Sequence, residues 1–159
     1  MITREFLPEC EQYIKNGGIL TGAGFTPVDI PLHMDVDINI AAEYIKTNRD
    51  VFFVQQLLSL IDKTGKKDSD IYKKAGIDRR LFSKIRSNKT YTPAKKTAIA
   101  LCLALELPRA ETDMLLSSAG YSLSRADDFD LIIAFCIEKK VYNFTEINEA
   151  LDHFGFEPF

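Results

Sequence analysis

Arg79, Arg80, Ser83 and Lys84 fall on one two-turn face if residues 78–86 are helical, with Arg86 and Ser87 near the far end. Guanidinium groups can pair bidentately with guanine, and serine or lysine can reach base edges or phosphates. The chemistry implied is recognition of a polyanion rather than bond making. Lys67, Lys89, Lys95 and Lys96 lie close by in sequence and suit phosphate contacts. Residues 62–96 hold 12 Lys/Arg against four Asp, a local balance of +8, while the remaining residues carry 8 basic and 19 acidic groups. The overall charge of −3 conceals this segregation, which points to an anionic partner for one face.

Those side chains need a scaffold. Ile71, Ala75, Ile77, Phe82 and Ile85 are spaced to bury the inner faces of two short helices, 69–75 and 78–86. Two helices crossing at roughly 90–120° need a tight turn, and Gly76 supplies its left-handed conformation. Asp78 is placed to cap the second helix. Before this pair, Val51, Val54, Leu57, Leu58 and Ile61 define a helix ending near Gly65. After it, Thr92-Pro93 reads as a cap and first helical residue, opening a helix with Ala98, Leu101, Cys102 and Leu105 on one face. A further helix over 109–118 closes at Gly120. Ser124 is expected to cap one with Phe129, Ile132, Ile133, Cys136 and Ile137 inward. Thr145 opens the last, with Ile147, Leu151 and Phe154 inward.

The first 49 residues read differently. A helix over 4–15 buries Phe6, Cys10, Tyr13 and Ile14, and Gly17, Gly18, Gly22 and Gly24 follow. Val28, Ile30, Leu32, Met34, Val36, Ile38 and Ile40 then alternate strictly, the period of a strand with one buried face. Pro31 favours an edge or the strand's beginning, and Ile19-Leu20 is a candidate partner for a hairpin-like unit.

The stretch from Ala75-Gly76-Ile77-Asp78 through Phe82-Ser83-Lys84-Ile85, then Pro93-Ala94-Lys95-Lys96-Thr97 with Ala104 and Leu107, resembles the lambda-repressor/Cro-like helix-turn-helix family. The resemblance covers residues 51–107. It implies a mainly α fold: a five-helix domain over 50–121, a small N-terminal α/β extension over 1–49 and two C-terminal helices over 122–159. It also implies a transcriptional regulator that holds double-stranded DNA as a homodimer. On that reading Arg79, Arg80, Ser83 and Lys84 approach bases, and Lys67, Arg86, Lys89, Lys95 and Lys96 hold phosphates. Tyr72 stands where that family usually has alanine, so it must point outward or widen the crossing. Residues from Tyr72 onward, including Ala119-Gly120-Tyr121 and Glu146-Ile147-Asn148-Glu149-Ala150-Leu151, are similar to helical tails of some bacterial multidomain proteins that carry a macro domain. That likeness keeps a second class open, a protein-interaction adaptor in bacterial or phage conflict systems. Its docking surface would be residues 28–40 or the C-terminal helices.

Other chemistry is set aside. Thr21-Gly22-Ala23-Gly24 resembles the phosphate loop of sirtuin-like proteins, but 49 residues are too few for a dinucleotide fold, and a turn from helix to strand is the reading. His33 and His153 have no neighbours at ligand spacing. Asp35/Asp37 and Asp127/Asp128/Asp130 read as solvated faces. Cys10, Cys102 and Cys136 form no metal or redox motif. No stretch approaches the roughly 20 apolar residues of a membrane span. The expectation is a cytoplasmic protein with reduced thiols, no cofactor, no metal and no enzymatic site.

Overall fold

The computed structural model describes residues 6–15, 38–49 and 51–159, and within them the chain is mainly helical. In chain order the elements are α1 (Phe6–Lys15), α2 (Ile38–Asn48), α3 (Phe53–Thr64), α4 (Asp68–Lys74), α5 (Arg79–Ser87), α6 (Lys95–Ala104), α7 (Arg109–Ser118), α8 (Asp128–Glu138) and α9 (Phe144–His153). Five of them, α3 to α7, occupy the span where the apolar periodicity calls for five.

Two helices are buried on every side. All residues of α6 from Ala98 to Ala104 are buried, as are all of α8 from Asp130 to Ile137. The single stripe expected on each is therefore too narrow: a helix apolar all round belongs in a core. α6 packs against α7 and α4, and α3 against α7 and α5. α8 lies against α1, α9 and α7. Phe6 and Tyr13 of α1 meet Phe135 of α8 with ring centroids 5.0 and 5.6 Å apart, and the Lys139 ammonium pairs with Glu9 at 2.6 Å. One apolar cluster thus draws on all three sequence segments, from Phe6 through Leu57 and Leu101 to Leu151.

Helix ends follow local chemistry. Gly65, Gly76 and Gly120 adopt φ of 65°, 66° and 79° just past α3, α4 and α7. Asp78 caps α5 through its carboxylate, which accepts from the Arg80 amide at 2.9 Å. Three expected helix starts move. α8 is capped by Asp127, whose side chain accepts from the Asp130 amide at 3.0 Å, while the Ser124 hydroxyl accepts from the Ala126 amide outside the helix. α6 begins after Ala94 with no side-chain cap, so neither Thr92 nor Pro93 opens it; Pro93 is buried and its carbonyl accepts from the Tyr121 hydroxyl at 2.8 Å. Asn143 caps α9 by accepting from the Thr145 amide at 2.9 Å. Val51 lies outside α3 and is half exposed.

The alternating segment is also revised. Ile38 and Ile40 belong to α2, because Ile38, Ala41, Ala42 and Ile45 carry a helical spacing that overlaps the end of the alternation. Residues 28–37, Gly17 to Gly24 and His33 lie outside the described residues, so the strand and its hairpin partner do too. α2 buries none of its side chains, and Ile38 is 82% exposed. Among the described residues no helix is long and apolar enough to cross a membrane.

Candidate nucleic-acid interface

α4 and α5 form the smallest unit with a shaped surface. Asp68 and Asp70 in the first turn of α4 favour its positive end, and Lys73 and Lys74 its negative end. The helix closes through two backbone bonds, Gly76 to the Lys73 carbonyl at 3.2 Å and Ile77 to the Tyr72 carbonyl at 2.8 Å. Asp78 then starts α5 within two residues. Ile71, Ala75, Phe82 and Ile85 are buried on the inner faces. The Tyr72 ring does not swing clear. It is half-buried and packs on Phe82, centroids 5.6 Å apart, filling the edge of the seam between α4 and α5.

With the inner faces buried, the outer face of α5 carries the cations. Arg79, Arg80, Ser83, Lys84 and Arg86 are all exposed. The guanidinium groups of Arg79 and Arg80 have no acidic partner among the described residues, the Asp78 carboxylate being taken up with the Arg80 amide. The Lys84 ammonium lies 5.3 Å from the centre of the Tyr91 ring. That ring is held by a loop in which the Asn88 side chain accepts from the Thr90 amide and hydroxyl at 3.1 and 3.0 Å. Lys67 and Lys89 are exposed beside α4 and in this loop.

Besides Lys84 on the Tyr91 ring, three of the nine expected contact residues have side chains hydrogen-bonded within the protein. Arg86 donates to the Asp68 carboxylate at 2.6 Å, across an exposed pair that solvent and a phosphate can compete for. Lys95 is held more firmly: its ammonium reaches Asp130 at 2.5 Å. Asp130 is only 1% exposed and also accepts from the Ser124 amide at 2.7 Å, so it belongs to the interior rather than to a solvated face. Lys96 donates to the carbonyls of Glu157 and Pro158 at 3.2 and 2.8 Å. The structure thus gathers Lys67, Arg79, Arg80, Ser83, Lys84, Arg86 and Lys89 on α4, α5 and the following loop, and commits Lys95 and Lys96 elsewhere.

Behind the pair, Lys74 pairs with Glu106 at 2.5 Å, and Lys66 stands 3.9 Å from the same carboxylate. The Lys74 hydrogen bond holds the Glu106 carboxyl below its ordinary range. This ties the end of α4 to the turn after α6, fixing the α4–α5 pair on the core. Neither Asp68 nor Glu106 stood out in the sequence, because their meaning depends on which lysine or arginine the fold delivers. His153 lies at the end of α9, 3.4 Å from Glu11 and far from this face in sequence. No protein-family model, characterised protein or solved structure matches the chain.

Proposed function

We propose that this protein is a DNA-binding transcriptional regulator of the lambda-repressor/Cro-like helix-turn-helix type, acting in the cytoplasm as a homodimer on double-stranded DNA. α3 to α7 are the five helices of that domain, α4 and α5 its helix-turn-helix, and α5 the helix that enters the major groove. One observation carries the reading: the first turn of α5 presents two arginine guanidinium groups with no acidic partner among the described residues, on a face nothing described covers. Arg79, Arg80, Ser83 and Lys84 read bases. Lys67, Lys89 and Arg86, once it leaves Asp68, hold phosphates.

Fluorescence anisotropy with duplex DNA tests this. Affinity should fall steeply with salt, losing about one unit of log–log slope for each phosphate contact removed. Arg80→Ala should cost roughly 1–3 kcal/mol and relax preference at one base pair. The double reversal Arg79→Glu with Lys84→Glu should abolish binding while leaving the helical circular-dichroism spectrum unchanged. Absence of salt-dependent binding at micromolar protein would refute the regulator.

A second reading, an adaptor on the same scaffold, is favoured by α2, where Ile38, Ile40, Tyr44 and Ile45 are all more than half exposed. The double reversal on α5 separates the two, because an adaptor that docks through α2 keeps its partner.

A further inference from the structure

Lys95 and Lys96 open α6, where the partial positive charge of a helix N-terminus opposes a cation. Each is accordingly supplied with acceptors. For Lys95 the acceptor is the buried Asp130. For Lys96 it is a separate piece of chain: the carbonyl oxygens of Glu157 and Pro158, with the Phe159 ring centre 5.6 Å below the ammonium. Two carbonyl oxygens and a ring face offer a lysine what a phosphate oxygen offers, without a net charge.

Residues 155–159 are fastened rather than buried. Gly155, at φ 77°, turns the chain back after α9. The Phe159 amide donates to the Asn148 side chain at 3.0 Å. Its ring meets Phe144 and Phe129, centroids 5.6 and 6.0 Å away, and Phe156 meets Phe129 at 6.0 Å. Glu157 and Pro158 stay exposed, and both phenylalanines are only half-buried. A cleft of about 360 Å³ runs along the segment beside Lys95, Lys96, Ile99 and Phe129. Lifting residues 157–159 breaks the Phe159–Asn148 hydrogen bond, the two hydrogen bonds from Lys96 and the Phe159 ring contacts, while the Gly155 and Phe156 amides stay on the Asp152 and Leu151 carbonyls and the buried side chains of α6 and α8 stay in place.

We propose that residues 155–159 form a strap that withholds Lys96 from the phosphate backbone held by α5. With the strap closed, the interface comprises α4, α5 and the loop after it. With the strap lifted, Lys96 adds one more phosphate contact from the start of α6, while Lys95 remains on Asp130. The strap is then a brake on DNA affinity, and whatever takes up Phe159 releases it. This rests on the DNA-binding reading, and the test keeps the two apart.

The full chain is compared with Phe159→Ala, Lys96→Ala and the double variant, with Asn148→Ala as a second way to loosen the strap should loss of the ring unfold the protein. Amine acylation of Lys96, read by mass spectrometry without DNA, reports the strap; anisotropy across a salt series reports the interface. Phe159→Ala should raise Lys96 labelling several-fold, tighten DNA binding roughly fivefold to tenfold near 0.1 M salt, and steepen the log–log slope by about one unit. Lys96→Ala alone should leave affinity and slope unchanged, and in the Phe159→Ala background it should cancel the gain. Unchanged labelling in both strap variants would overturn the strap, whatever DNA does. Increased labelling with no change in affinity would overturn the brake. A slope already flattened by Lys96→Ala alone would overturn it too, since Lys96 would then touch phosphate with the strap in place. If labelling rises but no variant binds DNA, the DNA-binding reading is what fails, and the brake falls with it.

Discussion

Among the described residues, two helices end on a left-handed residue that is not glycine: Glu106 after α6, at φ 56°, and Lys140 after α8, at φ 57°. In both, the next amide reaches back into the helix, Leu107 to the Cys102 carbonyl at 3.1 Å and Val141 to the Cys136 carbonyl at 2.8 Å. A side chain in this conformation costs about 1 kcal/mol relative to glycine. Glu106 offsets that cost through Lys74 and Lys66. Lys140 is exposed and has no such partner among the described residues. Lys140→Gly should therefore raise stability by about 0.5–1 kcal/mol, seen as a higher urea midpoint at constant m-value. Glu106→Gly should gain less or nothing, because it removes the ion pairs. Gly76→Ala should lose about 1–2 kcal/mol, although a Cβ there meets nothing within 4 Å, because the strain lies in the backbone. A destabilised Lys140→Gly protein would contradict this account of the helix ends.

At the level of elements, the caps separate what could be read from the sequence from what could not. Asp78 was legible because a carboxylate directly precedes a helix whose inner face is marked by Phe82 and Ile85. Ser124 misled because serine also makes local turns, and its hydroxyl takes the Ala126 amide instead. Asp127, already nearer the helix, carries a full charge against the helix dipole and wins the α8 cap. Asp127→Ala should thus cost about 1 kcal/mol of stability, and Ser124→Ala clearly less; thermal denaturation of the two variants would show the reverse order if Ser124 were the true cap. The cationic face of α5 was legible for a related reason, since buried positions at helical spacing dictate which residues point away. The commitments of Lys95 and Lys96 were not, because their acceptors lie 35 and 61–62 residues further along the chain. The breadth of burial on α8 was hidden likewise: what covers Phe135 is α1, more than 120 residues earlier. Ile38 and Ile40 fitted a strand and a helix equally, since their own spacing of two satisfies the alternation while Ile38 and Ile45 satisfy a helix.

Across the whole molecule, the same core that positions α4 and α5 holds three thiols. Cys10 in α1, Cys102 in α6 and Cys136 in α8 are buried and unpaired. Burial pushes each up to about 12, reinforced at Cys10 by the Glu11 carboxylate and at Cys136 by Cys10. The neutral thiol is thus the form the fold accepts. A group raised in the folded state contributes stability that is complete below its unfolded pKa and is lost as pH rises through the folded value. For thiols whose ordinary value is 9.0, the loss begins above about pH 9 and grows toward 12. Burial likewise raises Tyr13, whose hydroxyl donates to Glu138 at 3.0 Å, so ionisation also loosens α1 from α8. The urea midpoint should be flat from about pH 7 to 8.5 and then fall, and replacing the three cysteines with alanine should remove part of that fall at the cost of a lower plateau. A thiol reagent at pH 8 should find almost no reactive cysteine in the native protein and three after unfolding. One fast-reacting thiol before unfolding would place that helix outside the common core and break the link between the α1–α8 pair and the helices that carry the cationic face.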